Sequence, residues 1–181
     1  MIRPFALAAA TLALALPFAP AAARAQAATP PSPEPAKVLE GAGSPFNLTA
    51  IQALLSRGDA AVAAGNLGEA RRLYDLARDA SRRLLGFYRD LSGAFRGLDA
   101  RIPREMDEKG RETLTLLVET NLRLAALFRR QNQPEVAVPL LVEVVKTMSP
   151  TSDQGRKAYQ QLLELGFVAT PFGAPASPSS N

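Results

Sequence analysis

A chain of 181 residues, 47% hydrophobic and 21% charged, is long enough for one domain of ordinary size once tails are subtracted, and too short for two. It has no cysteine and no histidine, which excludes disulfides, thiolate metal sites, Ser/His/Asp and Cys/His catalytic sets and most zinc sites. The net charge of +4 falls by two when Arg3 and Arg24 are set aside with a leader, and the remaining lysines and arginines are nearly matched by acids, so charge alone argues weakly for a polyanionic partner.

Residues 1 to 27 carry the parts of a secretory signal in order: Arg3, an apolar run from Phe5 to Leu16, and small residues ending in Ala25, Gln26 and Ala27. The positive end stays at the inner membrane face, the apolar run enters the translocon, and the small residues fit the peptidase's narrow subsites. Cleavage is expected after Ala27, with Ala21 to Ala23 as a second candidate. The run, interrupted by Pro17, is shorter than the ~20 residues a spanning helix needs, which favours a cleaved signal over a retained anchor. Export follows as an expectation, with the periplasm as the compartment and an internal lumen or the exterior as the others. Pro30, Pro31, Pro33, Pro35 and Pro45 then forbid a helix and give an extended linker over 28–46. At the far end a disordered tail is expected over 169–181, too rich in Pro, Ser and Gly to pack apart from Phe172.

Between linker and tail, a helical domain is expected over 47–168. Ala, Leu, Arg and Glu dominate it and no strand-like alternation persists, so the fold class is all-α. Leu48, Ile51, Leu54, Leu55, Gly58, Ala61 and Val62 mark one face of a first helix over 47–64, stopped by Gly65. Leu67 restarts the pattern. An apolar seam through Leu73, Ala77, Ala80, Leu84, Tyr88, Leu91, Phe95, Leu98 and Ile102 predicts one long second helix. Gly86, Gly93 and Gly97 beside it either admit a second helix closely, in a homodimer or a partner, or break the helix near Gly86 or Gly93; the sequence leaves both open.

Pro103 followed by Glu105, Asp107 and Glu108 predicts the start of a third helix, with acids at the positive end of the dipole. Leu114, Leu117, Asn121, Leu124, Ala125 and Phe128 mark its buried face, and it ends near Asn132. Pro134 opens a fourth helix to about Thr147, with Pro139 expected to kink or delay it. Thr151 with Gln154 reads as a capping box for a fifth, closed by Gly166.

The sharpest feature is a repeat at an offset of 67 residues. Leu54, Gly58, Ala61, Gly65, Leu67, Ala70, Tyr74 and Ala77 correspond to Asn121, Ala125, Phe128, Asn132, Pro134, Ala137, Leu141 and Val144. The offset is close to twice the ~34 residues of a tetratricopeptide repeat, and the first copy resembles that family where its helices meet, in Gly58, Gly65, Ala70, Tyr74 and Ala77. The second copy keeps Leu124, Ala125, Phe128 and Ala137. The first departs from the family at Leu54, Arg57, Ala61 and Arg82, which stand where it has tryptophan, leucine, tyrosine and a closing proline. The resemblance covers 54–82 and 121–150 and implies antiparallel hairpins in a right-handed stack of about five helices. It further implies a concave groove for an extended peptide, showing Gln52, Asp59, Glu119, Arg129 and Arg130 over a floor of Leu55, Val62 and Leu122.

A second surface is legible without the resemblance. Arg71, Arg78, Arg82, Arg89 and Arg96 are spaced seven, four, seven and seven apart, one line at ~100° per residue, and read as the face opposite the seam. That line suits anionic lipid or an acidic envelope polymer, or is the solvated back of an amphipathic helix. For chemistry, Glu105, Asp107, Glu108 and Glu112 are candidate paired carboxylates, and Ser81 and Ser92 with Lys109 a candidate nucleophile and base. Neither set has a glycine-rich loop or an orienting third group. The expected function is therefore an exported, non-catalytic helical-repeat interaction module without a cofactor, holding a protein or peptide partner or a second copy of itself. The alternative is a peripheral binder at a membrane surface through the arginine line. Nucleic acid is disfavoured by the leader and by the lack of aromatic residues among the arginines.

Overall fold

The computed structural model describes Leu39, Ser44 and residues 46–173; the expected leader, nearly all of the linker and the tail beyond 173 lie outside the described residues. Five helices follow in order: α1 (Leu48–Ala63), α2 (Leu67–Ala94), α3 (Arg101–Arg130), α4 (Pro134–Met148) and α5 (Asp153–Glu164), with no strand among the described residues. Each helix packs on the next, and α1 also touches α3. The connections are too short for anything but antiparallel neighbours. On α2, Arg78, Leu85 and Ser92 meet Asn121, Gly110 and Asp107 of α3 in descending order, which fixes the sense of that pair. None of the described helices is long and apolar enough to cross a membrane.

Local chemistry sets the starts. Asn47 Oδ1 accepts the Ala50 N–H at 2.7 Å, and Asn66 Oδ1 accepts that of Glu69 at 3.1 Å, each satisfying an amide the helix leaves over. α4 begins on Pro134, whose missing N–H is not needed there. The cap of α5 is Ser152, not Thr151: its Oγ accepts the Gly155 N–H at 3.0 Å.

The ends repeat. Gly65, Asn132 and Gly166 all adopt positive φ, at 75°, 57° and 72°. At each, the next amide reaches back five residues, Asn66 to Ala61, Gln133 to Phe128 and Phe167 to Leu162, at 2.8, 2.9 and 3.0 Å. The positive-φ residue's own amide reaches back three, completing the same helix-ending motif three times. The first two ends are 67 residues apart, and α5 ends 34 residues after the second.

Two expectations are corrected. The second helix does not run to Ile102; α2 ends at Ala94, and a turn holding Gly97 at φ 86° reverses the chain before α3 begins at Arg101. The helix thus ends one residue past Gly93, near one of the two glycines where a break was expected, and not at Gly86, which sits inside α2 with open space where a Cβ would go. α3 starts two residues ahead of Pro103 because Asp99 Oδ1 accepts the Arg101 N–H at 2.9 Å. Pro139 does not interrupt α4; it lies on an exposed face, where the carbonyl it leaves free can meet water.

The core joins the two hairpins. Gly58 lets α1 approach Tyr74, and Ile51, Ala70 and Ala77 complete that contact layer. Leu124, Phe128, Leu141 and Val144 continue it into α3 and α4, and Ala158 and Leu162 into α5. Past Glu164 the chain folds back, with Tyr159 Oη donating to the Thr170 carbonyl at 2.8 Å and its ring 6.0 Å from Phe172. Ordered packing thus extends beyond 168, where the tail was expected to begin.

Candidate functional site

The proposed groove residues are brought together only in part. Between α3 and α5 lies a cleft of about 570 Å³, walled by Glu119, Leu122, Arg123 and Ala126 on one side and Asp153, Gln154, Lys157 and Gln161 on the other. Glu119 and Leu122 were expected in a groove; Arg123, Gln154 and Lys157 were not. Asp59 connects to it through Arg123, which bridges to the Asp59 carboxylate at 3.1 Å and to Glu119 at 3.2 Å. Burial works against the Arg123 charge, but the Asp59 and Glu119 carboxylates outweigh it and raise its affinity for the proton. Tyr74 Oη donates to the same Asp59 oxygen at 2.6 Å, and burial together with that carboxylate pushes the phenol well above its usual range.

The other expected residues have different duties. Leu55 is buried core, not groove floor, and Val62 packs half-buried against that core. Arg129 is a clasp: its guanidinium donates to Gln161 at 3.3 Å and Glu164 at 3.0 Å, fastening α3 to α5. Gln52 and Arg130 are exposed outside the cleft.

The arginine line is largely exposed, at Arg71, Arg82, Arg89 and Arg96, and only Arg78 is half-buried between α2 and its neighbours. Arg71 lies 5.0 Å from the Phe128 ring and 3.7 Å from Asp75. Arg78 donates to Asn121 at 2.8 Å and to Glu143 at 2.7 Å, and Arg82 joins it on Glu143 at 2.8 Å. Only Arg89 and Arg96 of the five have no partner among the described residues. Three of the five are thus engaged, Arg78 and Arg82 by α3 and α4 and Arg71 by Asp75 and the Phe128 ring, and the two that are not lie towards the α2–α3 end.

Glu143 is the centre of that network. Burial disfavours its charge, but the hydrogen bonds from Arg82 and Arg78 outweigh this and hold its carboxyl below the usual 4.5. A carboxylate with a depressed folded pKa contributes stability that is complete above the unfolded value and is lost as pH falls through the folded one. Glu143→Gln is therefore expected to lower stability by about 1 kcal/mol at neutral pH, a modest figure because Arg82 is largely solvated. Urea midpoints taken as the pH falls below 4.5 should converge for the two proteins. A gap independent of pH would assign the loss to packing.

The candidate catalytic groups do not assemble. Ser81 Oγ is spent on the Ala77 carbonyl at 2.8 Å, Ser92 Oγ donates to Asp107 at 2.8 Å, and Lys109 lies 2.8 Å from Glu105. Among the described residues no three acids gather into a set that could hold a metal ion. A further, apolar cleft of about 690 Å³ is lined by Leu39, Phe46, Phe87 and Leu91, and Asn47 Nδ2 donates to the Leu39 carbonyl at 2.7 Å beside it. Comparison with protein-family models, with curated proteins and with solved structures gives no significant match.

Proposed function

We propose that the chain is a non-catalytic protein-interaction module of tetratricopeptide-like helical hairpins, exported to the periplasm after loss of its leader, and that an extended peptide of a partner occupies the α3–α5 cleft. The observation that carries this reading is the threefold helix ending at Gly65, Asn132 and Gly166, spaced by two repeat lengths and then one. The shared ending supports taking α1, α3 and α5 as the first helices of their hairpins, which face the concave side in such a stack, with the single-repeat step from α3 to α5 matching the family and a long α2 filling the double step before it. The cleft between α3 and α5 has the composition a peptide groove needs: Leu122 and Ala126 as apolar floor, with Glu119, Gln154, Lys157 and Gln161 as hydrogen-bonding rim. Lys157, exposed and without a partner among the described residues, is available to a carboxylate of the ligand.

A photo-cross-linker placed at Leu122 or Gln154, with the full chain expressed in its own host, tests the groove. Both positions should yield one discrete protein adduct, at least ~tenfold above a cross-linker at Lys146 on the exposed side of α4, a ratio expected when ~1.4 kcal/mol or more separates specific from adventitious contact. Equal labelling at all three positions would count against the groove. The amino terminus of the recovered protein tests export: a start at Ala28 supports it, and an intact Met1 opposes it.

A further inference from the structure

We propose that the tip where α2 turns into α3 is a docking site for phosphate-bearing lipid headgroups at a membrane surface. Four arginines converge there, Arg89 and Arg96 from the α2 side and Arg104 and Arg111 from α3. All four are exposed, and none has an acidic or hydrogen-bonding partner among the described residues. Elsewhere Arg78 and Arg82 are held on Glu143, Arg123 on Asp59 and Arg129 on Glu164, and the exposed arginines without such a partner among the described residues, Arg57, Arg83 and Arg130, line neither cleft of the tip. The four line two adjoining clefts of about 420 and 320 Å³ that share Arg96, Asp107 and Arg111. Asp107 is the only acid in either lining, and one of its oxygens already accepts the Ser92 hydroxyl. Four guanidiniums with free N–H groups around one engaged carboxylate make a field and a donor set suited to phosphate.

The turn supplies the other half of a membrane contact. Leu98 is 79% exposed, the most exposed large hydrophobic residue described. It follows Gly97, whose positive φ reverses the chain, and precedes Asp99, which Arg101 holds at 2.7 Å. Gly97, Ala100 and Pro103 line the wider cleft, so Leu98 stands at the rim of the arginine site. An exposed leucine flanked by guanidiniums fits the boundary between acyl chains and anionic headgroups, apolar group inward and cations at the phosphates. A soluble polyanion would engage the arginines and have no use for Leu98. The inference does not depend on the peptide groove, which uses other residues on α3 and α5.

Flotation of the full chain with vesicles of phosphatidylcholine, with and without phosphatidylglycerol, tests it. The leader is common to every variant, so its contribution cancels in the ratio between them. Wild type should bind the phosphatidylglycerol vesicles, and Arg96→Gln with Arg111→Gln should weaken that binding roughly thirty-fold at low ionic strength. Arg57→Gln with Arg83→Gln, which removes equal charge from exposed positions elsewhere, should change it by less than about threefold. Leu98→Ser should weaken vesicle binding roughly tenfold. None of these side chains has a hydrogen-bond or ion-pair partner among the described residues, so the helical circular dichroism and Tm should be unchanged. An equal loss in the two double variants would overturn the site. Arginine-dependent binding that Leu98→Ser leaves intact and millimolar inorganic phosphate abolishes would assign the clefts to soluble phosphate and overturn lipid docking.

Discussion

Gly58→Ala should destabilise the protein by about 2 kcal/mol, although alanine is the better helix former by about 1 kcal/mol. A Cβ at Gly58 would lie 2.7 Å from Tyr74 Cδ1 and closer still to Cε1. The ring has nowhere to go. It is 2% exposed, and its hydroxyl is held by Asp59, one helical position from Gly58 and itself bridged to Arg123. Overpacking therefore wins over propensity, and the thermal midpoint should fall by several degrees. The second hairpin supplies the rescue. At the positions 67 residues on stand Ala125 and Leu141, both fully buried. Gly58→Ala combined with Tyr74→Leu should thus recover at least half of the loss caused by Gly58→Ala, a coupling readable in a double-mutant cycle of urea midpoints. Strict additivity would show that the two hairpins share a turn but not a packing scheme.

The parts of the fold legible in sequence are those set by local chemistry. Pro134 opens a helix, and Gly65 and Gly166 close theirs, because each acts within one turn of its own position. The seam through Phe95, Leu98 and Ile102 misled because apolar residues continued at helical spacing through a reversal. Leu91 and Leu98 there are exposed, so the spacing did not report burial. Gly97 followed by Asp99 was the available signal: a residue free to take positive φ, then a side chain able to receive the first amide of α3.

The site was harder to read than the fold. For the arginines on one line of α2 the sequence leaves an anionic-ligand surface and a solvated back both open, since nothing local distinguishes a guanidinium in water from one, such as Arg78, reaching Asn121 and Glu143, 43 and 65 residues away. The burial of α2 against α3 is partly polar, through Ser92 on Asp107 and Arg78 on Asn121, contacts that the apolar seam in the sequence does not announce. Arg104 and Arg111 repeat the seven-residue spacing of Arg89 and Arg96, but their convergence needs the reversal at Gly97. Likewise Gln154 and Lys157 became groove residues only once α5 was seen to end like α1 and α3.

Gly155→Ala should detach α5 before it unfolds anything else, and this separates the peptide groove from the rest of the molecule. A Cβ there would lie 2.8 Å from the Ser149 carbonyl carbon and still closer to its oxygen, which is backbone and cannot rotate away. That oxygen also accepts the Ser152 hydroxyl at 2.9 Å and amide at 3.2 Å, and Ser149 already sits at φ 68°, so the loop has no slack. The local loss should reach about 3 kcal/mol. Of the other helices α5 packs chiefly on α4, with the Arg129 clasp as its tie to α3, so amide exchange should accelerate across 153–164 while α1 to α4 keep their protection. Gly166→Ala is the control: it meets open space and bears only the roughly 1 kcal/mol of a left-handed φ, leaving α5 in place. Cross-linking from Leu122 then discriminates. If the partner lies between α3 and α5, its adduct disappears in Gly155→Ala and survives in Gly166→Ala. An adduct that survives both places the partner on α3 alone and removes α5, with Gln154 and Lys157, from the binding surface.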